Sequence, residues 1–71
     1  MTVTARQTEK LLTETHAFSQ LGFSMMLTRL KGIYAQDPSP EVLQRSVNEI
    51  NAFLEKFEML MANDCAFITQ L

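Results

Sequence analysis

The second half of the chain carries apolar residues at alternating three- and four-residue steps. This series consists of Leu43, Val47, Ile50, Leu54, Phe57, Met61 and Ile68, with Asp64 as its polar interruption. At about 100° per residue these positions form one stripe on a helix. Residues on the flank widen the stripe: Val42, Phe53, Leu60 and Leu71. The pattern predicts an amphipathic helix over residues 40–69.

The first half of the chain has two apolar stripes on one predicted helix over residues 5–35. The first stripe consists of Leu12, Phe23, Leu27, Leu30 and Tyr34, flanked by Met26 and Ile33. The second stripe, roughly 120° away on the helical wheel, consists of Leu11, Phe18, Leu21 and Met25. Thr4 followed by Gln7 resembles a capping box, which predicts the start of this helix.

A turn separates the two predicted helices at residues 36–39, where the chain reads Asp37-Pro38-Ser39-Pro40. Each proline disfavours helical geometry in the residue before it. Ser39 is a suitable N-cap and Pro40 a suitable first helical residue. Since the connector is short, we expect antiparallel neighbours. The sequence therefore predicts an all-α antiparallel two-helix hairpin, with residues 1–71 as a single domain.

One of the two stripes on the first helix has no partner within such a hairpin. A single neighbouring helix covers about one stripe, and the predicted seam uses Leu27, Leu30, Leu43, Val47, Ile50, Leu54 and Phe57. An unpartnered apolar face usually marks an interaction surface. The predicted partner-binding residues are Leu11, Phe18, Leu21 and Met25, extended by Phe53 and Leu60 on the second helix.

Composition narrows the class of function. The chain has 71 residues with a formal net charge of -2, which argues against nucleic acid as the main partner. No apolar signal-peptide core stands near the N-terminus, and no run approaches the ~20 apolar residues of a membrane span. We therefore expect a cytoplasmic protein that does not insert into membranes. A core this small usually needs a partner.

Candidate chemistry is sparse. His16 lies near the first apolar stripe, and no Asp, Glu or Cys stands three or four residues away from it. Glu14 is expected to point in a different direction. We therefore favour a packing role for His16 over a role as a ligand or a general base. Cys65 is the single cysteine and reads as a small apolar residue. No phosphate loop or catalytic triad can be written. The sequence predicts no catalytic, cofactor or metal site, and hence no enzyme.

The hairpin resembles the small E-type co-chaperone of the type III secretion needle subunit. The residues that carry this resemblance are Met26-Leu27-Thr28-Arg29-Leu30-Lys31, Gln44-Arg45 and the region 54–61. The resemblance implies a cytoplasmic protein that braces a tetratricopeptide-repeat G-type chaperone. Together these chaperones keep the needle subunit monomeric before export. The implied partners are that G-type chaperone and the needle subunit.

Two alternatives stay open. The needle subunit is also a helical hairpin, and its turn is similar to Asp37-Pro38-Ser39-Pro40. A homodimeric four-helix bundle is the other, since two hairpins could bury each other's second stripe. We prefer the co-chaperone because the end of the first helix matches it better and because this helix begins early.

Overall fold

Three helices make up the part of the chain that is described. A computed structural model describes residues 2–57, the last of them through its backbone alone. Helix α1 comprises Ala5–Thr13, α2 Leu21–Gln36 and α3 Pro40–Phe57, and no strand occurs in residues 2–57. The all-helical prediction is confirmed. The two-helix hairpin is not confirmed, because the first predicted helix is interrupted between residues 14 and 20.

The caps read from the sequence are present. The Thr4 side chain accepts a hydrogen bond from the Gln7 amide, and the Gln7 side chain accepts one from the Thr4 amide, which completes the capping box of α1. At α3, Ser39 Oγ accepts a hydrogen bond from the Val42 amide at 3.2 Å. Each bond satisfies an amide that has no partner inside the helix. The starts of α1 and α3 are therefore confirmed.

The interruption has a clear physical cause. Residues 14–20 include Thr15, His16 and Ser19, all of them weaker helix formers than Ala or Leu. After the break, α1 packs against both α2 and α3, and Leu11 becomes fully buried. An unbroken helix would have left that side chain without a neighbour. Breaking the helix thus exchanges a few intrahelical hydrogen bonds for apolar burial.

The core lies where the three helices meet. Its buried residues are Val3, Leu11, Leu12, Phe23, Met26, Leu27, Leu30, Ile50 and Leu54. Val47 is also buried, and Leu43 is half-buried against the core. These agree with the predicted seam; the Phe57 side chain and the predicted continuation of the second helix to residue 69 lie outside the described part.

A polar clamp fixes the segment before α1 to the middle of α3. The Val3 amide donates to Asn51 Oδ1 at 2.6 Å, and Asn51 Nδ2 donates to the Val3 carbonyl at 3.3 Å. Both bonds are partly buried, where loss of a partner is costly. The clamp joins residues 48 positions apart in sequence and holds α1 on the α2–α3 pair.

Leu54 is fully buried, so its truncation should leave a cavity. We expect Leu54→Ala to lower the free energy of unfolding by about 2–5 kcal/mol, measured by urea denaturation. Leu21→Ala is the matched control, because Leu21 is 72% exposed, and it should change stability by no more than about 0.5 kcal/mol. Equal losses in the two variants would contradict this core.

Thr8 is fully buried, and its hydroxyl has no hydrogen-bond partner among the described residues. Thr8→Val removes that hydroxyl while keeping the branched shape, so it should stabilise the fold by about 1 kcal/mol. Thr13→Val is the control, since the exposed Thr13 hydroxyl donates to the Glu9 carbonyl. Thermal unfolding of both variants measures how each substitution changes the stability of the fold. A destabilised Thr8→Val would mean that the hydroxyl is satisfied.

Candidate interaction surface

Among the described residues, the most exposed large apolar side chains lie at the start of α2. Leu21 and Met25 are 72% and 63% exposed, and they stand one helical turn apart. The opposite face of α2 holds Phe23, Leu27 and Leu30, all of which are buried. Because that opposite face packs in the core, Leu21 and Met25 point to solvent. We call these two residues the α2 apolar face.

A groove runs between α2 and α3 beside this face. Its volume is about 370 Å³, and it is lined by Met26, Arg29, Glu49, Ala52, Phe53 and Lys56. We call it the α2–α3 groove; Met26, which lines it, is the residue after Met25 in α2. Phe53 is half-buried there, and its ring lies 5.5 Å from the ring of Phe23.

Charged residues cross and border the groove. Arg29 and Glu49 form an ion pair between α2 and α3. Beyond that pair a smaller depression of about 120 Å³ is bordered by Arg45 and Ile33. Three basic side chains, Arg29, Arg45 and Lys56, thus border the two depressions with Glu49 as the acidic side chain among their lining residues. This surface combines an apolar floor with an excess of positive charge.

Two of the predicted partner-binding residues pack inside the fold. Leu11 is fully buried in the core, so its expected place beside Leu21 and Met25 on one exposed stripe is wrong. The broken helix explains this, since helical spacing no longer relates residue 11 to residue 21. Phe18 is half-buried against the core, with its ring edge-on to Phe23 at 5.0 Å. It anchors the connector between α1 and α2.

The structure brings three predicted residues to the same end of the α2–α3 pair: Leu21, Met25 and Phe53. Gly22, the neighbour of Leu21, would have a Cβ atom 3.5 Å from Phe53 Cζ, which shows how closely the helices approach there. Leu60 lies outside the described residues. Whether these residues bind a partner stays a prediction.

The helical pattern of the sequence did not predict that Arg29, Glu49 and Lys56 line one groove. The signal that could have found Arg29 and Glu49 is the register of the antiparallel pair. The turn at residues 37–39 is centred on Pro38, which lies nine positions after Arg29 and eleven positions before Glu49. Opposite charges at nearly mirrored positions can meet across the two helices.

His16 occupies the connector and has a local structural role. Its side chain is 7% exposed, and Nε2 lies 3.2 Å from the Lys10 carbonyl oxygen, to which it can donate. Nε2 also lies 3.8 Å from Glu14 Oε1, so the expectation that Glu14 points elsewhere is wrong. The cause is again the break, which takes both residues out of helical geometry. This environment fits a packing histidine.

Two further contacts hold the connector and α1 to α2. Lys31 Nζ donates to the Glu14 carbonyl at 2.8 Å, and the Tyr34 hydroxyl donates to Glu9 Oε2 at 3.4 Å. Desolvation raises the pKa of Tyr34, and the charge of Glu9 and this hydrogen bond raise it further. The phenol therefore stays protonated and can keep donating at neutral pH.

Within residues 2–57 no three His, Cys, Asp or Glu side chains come together as a metal site. None of the helices in that part of the chain is long and apolar enough to cross a membrane. Comparison of the chain with protein-family models, with curated proteins and with solved structures gives no match.

Proposed function

We propose that this protein acts by binding another protein helix on the α2 apolar face and the α2–α3 groove, and not by catalysis. The observation that carries the proposal is the exposure of Leu21 and Met25, at 72% and 63%, beside an apolar groove. Contiguous exposed apolar surface with a polar border is typical of protein interaction sites. A partner helix with apolar residues at three- and four-residue steps fits such a groove.

The specific role that we propose is that of an E-type co-chaperone of type III secretion. The segments that carry the resemblance, Met26 to Lys31 and Gln44-Arg45, lie on α2 and α3. Met26, Arg29 and Arg45 from these segments border the depressions between the two helices. In this role the chain braces a tetratricopeptide-repeat G-type chaperone, which covers the needle subunit. That role is cytoplasmic, since the subunit is kept monomeric before export.

A homodimer is the second candidate, and the same observation favours it. Two copies could pair their α2 apolar faces, which would hide Leu21 and Met25 from water. The two candidates differ in what occupies the face when the G-type chaperone is absent. A self-associating chain changes its apparent mass with concentration, whereas a dedicated co-chaperone is monomeric until its partner is added.

Met25→Glu places a charge on the α2 apolar face. We expect the variant to keep its helicity, because Met25 is exposed, and to lose the G-type chaperone, because a buried unpaired charge is costly. Affinity should fall at least tenfold, measured by co-expression, size-exclusion chromatography and titration. Circular dichroism checks the fold.

Ala35→Glu is the matched control, since Ala35 is also exposed on α2 but lies near its other end. This variant should bind like the parent protein. If both variants bind like the parent, the α2 apolar face is not the interface. If the parent chain forms no complex with a G-type chaperone from the same secretion system, the co-chaperone role is wrong.

A further inference from the structure

The exposed large apolar side chains of the described residues all lie on one row of α2. Leu21 and Met25 are joined by Ile33, which is 42% exposed. Leu21, Met25, Arg29 and Ile33 follow one another at four-residue steps along the helix. Side chains at this spacing form a ridge, here about 18 Å long at 1.5 Å per residue. We call these four residues the α2 ridge, and Arg29 is its one charged member.

The Ile33 end of the α2 ridge borders the smaller depression between α2 and α3. On α2, Ile33 stands four positions after Arg29; on α3, Arg45 stands four positions before Glu49. Ile33 and Arg45 therefore lie one helical turn closer to the connector at residues 37–39 than the Arg29–Glu49 ion pair does. The buried residues that line this depression are Leu30, Val42 and Ser46.

Arg45 is the positive charge in this depression that no described acidic side chain neutralises. Glu49 is paired with Arg29. Glu41 stands one turn before Arg45 on α3, but no ion pair or hydrogen bond joins Arg45 to any side chain within residues 2–57. A guanidinium has several N–H donors, and the hydrogen bond to Glu49 uses one of those of Arg29. Both arginines can therefore donate to a carboxylate that enters the depression.

We propose that the helix bound by this surface is acidic, that it packs along the α2 ridge, and that it places a carboxylate between Arg29 and Arg45. This inference rests on the helix-binding function proposed above and adds the chemistry of the partner. It does not depend on the co-chaperone role.

The surface fits such a helix better than the other possible occupants. A small anion would contact the arginines alone and would leave Leu21, Met25 and Ile33 in water. A basic helix would bring like charges beside Arg45, which disfavours association. An apolar helix would remove Arg45 from water without a partner for its charge, which is costly. An acidic amphipathic helix satisfies both the ridge and the arginine.

Three synthetic helical peptides of about 18 residues, long enough to cover the ridge, test the charge of the partner. They share one row of leucines at three- and four-residue steps, and a hydrocarbon staple on the opposite face keeps their helicity equal. The residues that flank the row are all Glu, all Gln or all Lys. We expect the full-length chain to bind the Glu peptide about three- to ten-fold more tightly than the Gln peptide, as for one or two partly exposed ion pairs. Fluorescence anisotropy measures the affinities.

The net charge of the chain makes this comparison strict. Because that charge is -2, non-specific attraction favours the Lys peptide, so preference for the Glu peptide reports a local basic site. Equal affinities, or preference for the Lys peptide, would overturn the acidic partner while leaving helix binding in place. Absence of binding by all three peptides would overturn helix binding on this surface as well.

A charge reversal locates the site. Arg45→Glu should remove the preference for the Glu peptide and favour the Lys peptide, because it reverses the charge beside the depression. Circular dichroism should match the parent, since Arg45 is exposed. Arg6→Glu is the matched control: it makes the same charge change on an exposed position of α1 and should keep the parent order of affinities. The parent order in Arg45→Glu would contradict the proposed position of the carboxylate.

A truncation tests the apolar part of the α2 ridge separately. Ile33→Ala should weaken binding of the Gln peptide at least about threefold, as expected when fewer methylene groups are buried on association. It should weaken the Glu peptide by a similar factor, because the arginines are unchanged. Unaltered binding of the Gln peptide, with circular dichroism like that of the parent, would show that the helix does not reach the Ile33 end of the ridge.

Discussion

The fold depends on where the apolar surface of residues 5–35 can be buried. As one helix, this segment would carry two apolar stripes, and a single antiparallel neighbour covers only one of them. The helix is instead interrupted at residues 14–20. This interruption lets α1 pack against both α2 and α3, so that more of the apolar surface is buried. Leu11 then enters the core, and Phe18 packs on Phe23. The Val3–Asn51 clamp and the Lys31–Glu14 contact secure the arrangement.

The break also determines which apolar residues stay outside. Half of the predicted second stripe packs in or against the core, through Leu11 and Phe18, and the other half, Leu21 and Met25, stays exposed. These residues lie after the break, on the side of α2 that faces away from the core. Next to them the α2–α3 groove is crossed by the Arg29–Glu49 ion pair. The exposed part of the predicted stripe is thus smaller than expected, and basic residues line the groove next to α2.

Local signals in the sequence predicted the starts of α1 and α3 and the inner face of α3. Thr4, Ser39 and Pro40 act through caps and backbone restrictions that do not depend on distant residues. Ile50 and Leu54 follow one uninterrupted helical period, so their burial could be predicted from spacing. The packing of three helices could not be predicted from spacing. Whether a helix breaks depends on two competing terms: the hydrogen bonds within the helix, and the burial of its apolar side chains against residues far away in sequence. The weak helix formers Thr15, His16 and Ser19 were the available hint. To predict the groove, one must know how the residues of α2 are aligned with those of α3. The periodicity within one helix does not contain that information.

The position of Val3 relative to Asn51 tests the three-helix arrangement most directly. In the structure the Val3 amide nitrogen lies 2.6 Å from Asn51 Oδ1. An unbroken hairpin would place Asn51 opposite residue 25 or its neighbours, and Val3 would then lie about 30 Å away at 1.5 Å per residue. Nuclear Overhauser spectroscopy on the labelled full-length chain should show contacts between the Val3 amide and the Asn51 side chain. Their absence, together with helical contacts that continue through residues 14–20, would contradict this account.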